Sequence, residues 1–267
     1  MLLILFPMRV LHLFTLSLFA AAAFAADECP PRYSYCGYSG PEQWKNLPIP
    51  KNECGGERQS PINLGTPTPT PGPAIIIDYH AGPATIRNTG HDIEVTPAKD
   101  NNKITIGGKV YTLLQLHFHF PNEHRVPRIA NAVAEMHILH EVVEGDETYN
   151  AVIGVMLTSG TPTDSALEPV FKNLPEAACA PPTVLPQFNF DQLLPEKFGY
   201  YTYVGSLTTP PCTETVKTVT WYVLDAPRTI FESDKNKLCA LGENARPIQN
   251  NPSALKVTYV RPTPTPK

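Results

Sequence analysis

Three histidines in two apolar stretches of the chain have the spacing of a metal site. His117 and His119 alternate with apolar residues in the run Gln115–Phe120, and in a β-strand such alternation turns both imidazoles to one face. His137 lies in the next apolar stretch. If the two stretches pair as neighbouring strands, three neutral imidazoles converge. This predicts a zinc ion with an open fourth position, which is typical of a catalytic rather than a structural site.

A polar residue precedes a histidine by two positions in each stretch. Gln115 stands before His117 and Glu135 before His137, and a two-residue period puts each pair on one strand face. A zinc-bound histidine usually donates its other ring N–H to such an acceptor. We therefore expect Gln115 and Glu135 to orient the metal ligands. Three other histidines are expected to be ordinary core or surface residues: His80, His124 and His140.

The elements that must position these residues are mainly strands. Turn-punctuated β-type segments recur from residue 74 onward, and the thirty prolines argue against a helical bundle. The predicted strands are Ala74–Tyr79, Asp92–Thr96, Lys103–Ile106, Tyr111–Phe120, Asn131–Val143, Ala151–Leu157, Tyr200–Val204, Val216–Leu224 and Leu255–Tyr259. Short helices are predicted around Leu167–Leu174 and Ile230–Leu241, and the Thr/Pro stretch Thr66–Pro71 is expected to be an external loop. The predicted fold class is mainly β (α+β) with short peripheral helices.

The chain begins with a segment typical of export. Arg9 is followed by the apolar run Val10–Ala23 and by the small-residue motif Ala23–Ala25, which predicts a signal peptide over 1–25. The run is shorter than the roughly 20 residues of a spanning helix, so a membrane anchor is disfavoured. No linker divides the rest, which predicts a single domain over 26–262 and a Thr/Pro tail over 263–267. We expect a secreted or periplasmic protein.

The charge and the cysteine content indicate which classes of partner and which cellular compartment to expect. A formal net charge of −4, with no basic cluster along the sequence, gives no reason to expect nucleic acid or a membrane as partner. This leaves a small-molecule substrate. All six cysteines lie after residue 25, an even number that suits disulfides in an exported chain. Their spacing leaves the pairing open, since six cysteines allow about fifteen pairings.

Six motifs, in order along the chain, resemble those of the α-carbonic anhydrase family. They are GYSGPE (37–42), QSPI (59–62), NTGH (88–91), QLHFH (115–119), EMH (135–137) and SLTTPP (206–211). The resemblance runs from about Cys36 to Val260. It implies a central twisted, largely antiparallel sheet with zinc at the base of a conical cleft. It also implies reversible hydration of carbon dioxide to bicarbonate and a proton, by attack of zinc-bound hydroxide.

The resemblance assigns further roles that spacing alone does not. Thr208 resembles the family's gatekeeper threonine, which orients the attacking oxygen. The hydroxyl of that threonine donates a hydrogen bond to a buried glutamate, here Glu123. His91 resembles the proton shuttle, and we expect its ring to be exposed and free to swing. Tyr38 resembles the tyrosine that orders solvent between zinc and shuttle. The residues implied to bind substrate are Leu139, Val152, Leu207, Thr208, Thr209 and Trp221.

The resemblance also bears on one disulfide and on one departure from the family. Exported relatives often link the positions of Cys54 and Cys212, which implies that disulfide here. Two weaker pairings remain by elimination: Cys29 with Cys36, and Cys179 with Cys239. Leu139 occupies a position that is usually valine in the family, and a larger side chain there would crowd the substrate.

Three functions other than hydration are compatible with parts of this sequence. The same zinc site can attack activated esters, so esterase activity is expected as a side reaction. A binding module without metal is disfavoured because all three histidines are present. A zinc storage protein would need neither Thr208 nor Glu123. The oligomeric state, monomer or homodimer, is left open.

Overall fold

Apolar stretches along the chain form the strands of one large sheet. The computed structural model describes residues 32–161, 164, 166–175, 177–215 and 218–262. The predicted signal peptide, 1–25, and the predicted tail, 263–267, lie outside the described residues. The described strands are β1 (Pro69–Gly72), β2 (Ile75–Asp78), β3 (Ala81–Asn88), β4 (Ile93–Pro97), β5 (Lys103–Ile106), β6 (Lys109–His119), β7 (Ala132–Glu144), β8 (Glu147–Ser159), β9 (Thr183–Asn189), β10 (Tyr200–Gly205), β11 (Thr218–Leu224), β12 (Arg228–Ile230) and β13 (Thr258–Pro262).

Among the described residues, two short α-helices accompany the sheet, α1 (Glu168–Lys172) and α2 (Glu232–Leu241), together with 3₁₀ turns. Val170 and Phe171 of α1 are buried in the main apolar core, as the spacing of the predicted helix implies. Both predicted helices are confirmed, α1 with narrower bounds. Within the described ranges, no helix combines the length and the apolar character needed to cross a membrane.

The sheet is mostly antiparallel and puts the two histidine-bearing strands side by side at its centre. Its order is β1-β13-β10-β11-β8-β7-β6-β4-β3-β9, with β5 between β6 and β2, and β12 beside β8. The pairs β1–β13, β11–β8 and β12–β8 are parallel. This architecture confirms the predicted fold class. The central strands β7 and β8 are buried along most of their length.

Proline accounts for three of the strands that the sequence did not predict, β1, β3 and β9. The stretch expected to be an external loop forms β1 in its second half, and β1 pairs in parallel with β13. Proline cannot donate to a strand ladder and is tolerated at sheet edges, and β1 lies at the edge. The unpredicted strands β3 and β9 contain Pro83 and Pro186, which weaken the sequence pattern of a strand. The unpredicted β12 has only three residues.

Alternation gives the two faces of β6 and β7 different surroundings. On one face, Leu116 lies opposite Ile138 in the main apolar core. His140 shares this face, and its Nε2 lies 2.5 Å from the Tyr79 hydroxyl. It is therefore an ordinary buried core residue, as expected. The opposite face carries the candidate metal ligands.

The predicted Cys54–Cys212 disulfide is confirmed. Cys212 is fully buried and Cys54 nearly so. The two pairings proposed by elimination are wrong. Two of the cysteines that they require are free and exposed: Cys36 and Cys239. Cys179 is itself disulfide-bonded, whereas Cys29 lies outside the described residues.

Candidate functional site

The three predicted ligands converge where β6 and β7 pair. His117 lies directly opposite His137 in the strand register, and His119 follows two residues later on β6. The centroids of the three rings are between 4.5 and 5.2 Å apart. One nitrogen from each ring lies within 4.8 Å of the other two. His119 and His137 are almost completely buried.

Two of the ligand rings are held by the acceptors that the sequence predicted. His117 Nδ1 donates to Gln115 Oε1 at 2.8 Å, and His137 Nε2 donates to Glu135 Oε1 at 3.0 Å. These contacts follow from the two-residue period, because residues two apart on a strand share a face. Each bond fixes one ring and leaves its second nitrogen for another ligand.

The third ligand ring is held by Asn244, which the sequence did not indicate. His119 Nδ1 donates to the Asn244 carbonyl oxygen at 2.8 Å. The Asn244 side-chain amide donates to the carbonyl of Phe118 at 2.8 Å and to that of His91 at 2.9 Å, which fixes this segment against β6. Every residue has a carbonyl, and this one is 125 residues away from His119, so no local signal pointed to it.

The donor set fits a zinc ion. A neutral imidazole that donates from one nitrogen carries a lone pair on the other, and all three rings donate in this way. Burial lowers the pKa of His137 to about 4 and holds the pKa of His117 well below its ordinary value, so both rings are neutral at pH 7. His119 Nε2 is buried without a hydrogen-bond partner among the described residues. Such an unpaired buried nitrogen requires a ligand of some kind.

Glu135 joins the ligand cluster to the loop before β7. Its Oε1 also accepts from His124 Nδ1 at 2.8 Å, and its Oε2 accepts the backbone N–H groups of Glu123 and His124 at 2.9 and 2.8 Å. Burial would raise the pKa of Glu135, but His124 and His137 hold it well below its ordinary value. His124 is fully buried and contacts the Tyr203 hydroxyl at 2.7 Å. It is thus a hydrogen-bonded core residue.

Glu123 and Thr208, which only the family resemblance paired, lie together. Both residues are buried, and Glu123 Oε1 accepts the Arg246 backbone N–H at 2.8 Å. Burial raises the pKa of Glu123 to about 8, while the Arg246 N–H and the Thr208 hydroxyl oppose that rise. Glu123 Oε2 has no partner at normal hydrogen-bond distance in the described part of the chain. One carboxylate oxygen is therefore available to Thr208.

The loop that carries Thr208 is tied down at both ends. Before Thr208, the Trp221 indole N–H donates to the Ser206 carbonyl at 2.9 Å. After Thr208, the Cys212 backbone N–H donates to the Thr209 carbonyl at 2.8 Å. The buried disulfide then joins Cys212 to the N-terminal segment. The position of Thr208 therefore depends in part on two residues outside the loop, Trp221 and Cys54.

An apolar wall adjoins the histidines. Leu139 lies opposite Val152, and Val152 lies opposite Trp221, across β7, β8 and β11. Together with Leu207 these residues belong to one apolar cluster, and the Trp221 ring lies 4.7 Å from that of His137. The structure thus brings together the four apolar residues expected to line the substrate pocket. Thr209 is half-buried in the adjoining loop.

His91 differs from the expectation of an exposed ring that is free to swing. It is half-buried, and it stacks on Tyr33 with ring centroids 3.8 Å apart and 25° between the planes. Burial lowers the pKa of His91 to about 4. The stack therefore makes His91 a poor proton acceptor in this position. By contrast, His80 is a surface residue 3.2 Å from Asp78.

Tyr38 does not occupy the place that its expected role requires. Its side chain is fully exposed, so it cannot order solvent inside a cleft. Tyr35, three residues earlier, has a buried hydroxyl without a hydrogen-bond partner among the described residues. Burial first, and then Tyr33 and Glu123, hold the pKa of Tyr35 well above its ordinary value. The tyrosine near the site is thus Tyr35, and a choice between two tyrosines so close in sequence needed the fold.

Comparison with known proteins finds similarity to carbonic anhydrases. A family model described as eukaryotic-type carbonic anhydrase matches residues 39–263. A carbonic anhydrase of Neisseria gonorrhoeae is 33% identical over 249 residues, which cover 91% of this chain and 95% of the relative. Alpha carbonic anhydrase 3 of Arabidopsis thaliana is 30% identical and covers 97% of both chains.

A solved structure agrees with these relatives. The α-carbonic anhydrase of Thermovibrio ammonificans, determined with the inhibitor sulfanilamide, superposes with a TM-score of 0.74 at 30% identity. The match covers 86% of this chain and 98% of that one. The likeness therefore extends over nearly the whole sheet and its site.

Proposed function

Because this chain belongs to the eukaryotic-type, or α, carbonic anhydrase family, we propose that it reversibly hydrates carbon dioxide with a zinc ion held by His117, His119 and His137. The observation that supports this most is the convergence of three imidazoles whose N–H groups are all donated elsewhere. When bound there, zinc supplies a Lewis acid that activates water at neutral pH. Neutral ligands suit this chemistry, because anionic ligands would offset part of the ion's charge.

Thr208 and Glu123 orient the attacking water in this proposal. A threonine hydroxyl has one hydrogen to donate, and Glu123 Oε2 is buried without a partner at hydrogen-bond distance among the described residues. Burial raises the pKa of Glu123 to about 8, so its role as a carboxylate acceptor requires the positive charge of a bound zinc ion to keep it ionised at neutral pH. Once Thr208 donates to Glu123, its oxygen can only accept from a water molecule in the site. This requirement selects one orientation of the water and points its lone pair toward the substrate.

The apolar wall holds the substrate. Carbon dioxide has no net dipole and no hydrogen-bond donor, so a surface formed by Val152, Leu207 and Trp221 binds it without desolvating polar protein groups. Leu139, on β7, reduces the space beside this wall. The bicarbonate product is charged and fits an apolar wall poorly, which favours its release to solvent.

We further propose that the protein works outside the cytoplasm. The buried disulfide Cys54–Cys212 supports this, because disulfides persist in oxidising compartments and are rare in the cytosol. One of the relatives is a carbonic anhydrase of the bacterium Neisseria gonorrhoeae. The predicted signal peptide over 1–25 stays a prediction.

Removal of zinc tests the proposed function. Chelation followed by dialysis is expected to remove one zinc per chain and to abolish carbon dioxide hydration, and stoichiometric zinc is expected to restore both. Metal content by elemental analysis and hydration by stopped-flow should be measured on the same sample. Circular dichroism serves as the control for folding. Full hydration activity after complete zinc removal would refute the proposal.

Proton transfer through His91 is proposed, although the stacked ring is poorly placed for it. A group with a pKa of about 4 accepts a proton inefficiently from a donor near pKa 7, so the ring must leave Tyr33 to act. We expect His91→Ala to lower kcat measurably in weak buffer, by up to about 100-fold, which is the lower end of acid–base effects, and to spare kcat/KM.

Added imidazole should restore part of the loss in His91→Ala. His80→Ala is the matched control, because His80 is an exposed histidine beside Asp78. Both variants should be compared by stopped-flow hydration over a range of buffer concentrations. An unchanged kcat in His91→Ala, with no response to imidazole, would show that His91 carries no proton.

The size of residue 139 is expected to affect turnover. Leu139 belongs to the wall cluster and is half-buried, so Leu139→Val removes one methylene from the space beside the metal ligands. We expect kcat/KM to stay the same or to rise, at a stability cost of about 1 kcal/mol. A marked fall in kcat/KM with zinc content intact would show instead that Leu139 fits the substrate.

A further inference from the structure

A second pocket, separate from the metal ligands, collects basic residues from distant parts of the chain. It has a volume of about 580 Å³ and opens to solvent. Its charged lining comes from the loop before β7, the segment before β10, the end of β11 and β13: Arg128, Lys197, Asp225 and Arg261. These positions are far apart in sequence, which is why no basic cluster appears along the chain.

Two of these cations are arranged over one aromatic ring. The guanidinium carbons of Arg128 and Arg261 lie 5.2 and 5.7 Å from the centroid of the Tyr259 ring, within the range of cation–π attraction. Tyr259 is buried and stacks on Tyr201 at 4.7 Å, so the floor of the pocket is part of the packed core. Arg261 Nε donates to the Tyr259 hydroxyl at 3.4 Å, and Arg128 is hydrogen-bonded to the Tyr201 hydroxyl. A guanidinium has five N–H donors, so donors on both side chains remain for an anion.

The single carboxylate of the pocket is already engaged. Asp225 Oδ1 accepts the Gly199 backbone N–H at 2.6 Å, and Asp225 Oδ2 accepts the Tyr259 hydroxyl at 2.5 Å. None of the three cations forms an ion pair with a carboxylate in the described part of the chain. Three positive charges and one negative charge leave a local excess of two, in a protein whose net charge is −4.

We infer that this pocket binds a phosphate group. Arginine presents parallel N–H donors that match phosphate oxygens, and lysine adds a third point charge. A phosphate monoester carries about −1.5 to −2 charges at neutral pH, which matches the local excess of two. A carboxylate or bicarbonate, with one negative charge, would leave the excess half neutralised. The inference is independent of carbon dioxide hydration.

Titration with inorganic phosphate tests the site directly. Zinc-loaded wild type should be compared by calorimetry with the double variant Arg128→Gln/Arg261→Gln and with Lys197→Gln. We expect the double variant to bind phosphate at least about 10-fold more weakly and Lys197→Gln to be affected less. The matched control is Arg87→Gln/Lys99→Gln, which removes two charges from exposed residues outside the pocket. Phosphate bound near the zinc ligands would be common to all four proteins and would cancel in the comparison.

A second arm distinguishes a lipid headgroup from a free phosphate. Sedimentation with phosphatidylcholine vesicles that contain phosphatidic acid, whose headgroup is a phosphate monoester, should be measured for the same proteins, with pure phosphatidylcholine vesicles as reference. Loss of binding in the pocket variants in either arm supports the site, and the arm in which it occurs identifies the source. Equal binding of wild type, pocket variants and control in both arms would overturn the inference. Retained hydration and an unchanged melting temperature confirm that the pocket variants are folded.

Discussion

His137→Ala is expected to lose zinc and with it carbon dioxide hydration. His137 provides one of three converging nitrogens, and two remaining ligands hold a zinc ion far less tightly. Loss of an outer partner of a ligand already costs roughly 10- to 100-fold in metal affinity, so loss of the ligand itself should cost more. Hydration should fall to the rate of the zinc-free protein.

The His137→Ala protein is nevertheless expected to fold. Glu135 keeps its bonds to the His124 ring and to the backbone N–H groups of Glu123 and His124, so its charge is not left unpaired. The change opens a cavity and costs about 2 to 4 kcal/mol. Urea denaturation, zinc content and stopped-flow hydration measure the three effects separately.

Two further variants are expected to lose less zinc affinity than His137→Ala. Gln115→Ala removes only the acceptor of His117, and we expect a 10- to 100-fold loss of zinc affinity, with activity recovered at high zinc. His80→Ala changes an exposed histidine and should behave as wild type. A His137→Ala protein with normal zinc content and normal hydration would show that the ion is held elsewhere.

Replacing both bridged cysteines, Cys54→Ala/Cys212→Ala, is expected to give the largest loss of stability. The bond closes a loop with a sequence separation of 158 residues, for which the chain-entropy model gives about 5 kcal/mol as an upper figure. The two residues are also sites of packing. The Arg246 guanidinium donates to the Cys54 carbonyl at 3.2 Å, so loosening this region disturbs the segment that contacts Glu123.

The structure offers a matched control for the disulfide. Cys36→Ala/Cys239→Ala changes two exposed free thiols and is expected to stay within about 0.5 kcal/mol of wild type. Free energies of unfolding come from urea titration under non-reducing conditions, and hydration after mild heating reports on the loop that carries Thr208. Equal stability of the two double variants, or free thiols at Cys54 and Cys212 in peptide mapping, would contradict the prediction.

Local periodicity accounts for what could be predicted from the sequence. Alternation along β6 and β7 put His117 and His137 on one face and put Gln115 and Glu135 beside them, and the structure has all four in that arrangement. A strand repeats every two residues, so neighbours on a face are set by the chain itself. The family resemblance then supplied Thr208, whose contact with Glu123 no local pattern implies.

Long-range packing decided the remainder. The Asn244 carbonyl that holds His119, the stack of Tyr33 on His91 and the choice of Tyr35 over Tyr38 all join segments remote from the metal strands or rest on loop burial.

The basic pocket around Tyr259 is a further case, since its four charged residues come from four separate segments. The conformation and burial of a loop residue depend on the segments that pack against it. Every residue has a backbone carbonyl, so residue type does not indicate which carbonyl will accept a hydrogen bond. The sequence by itself thus determined the ligand-bearing strands and their faces. Only the tertiary structure decided which loops close over them and which charges meet.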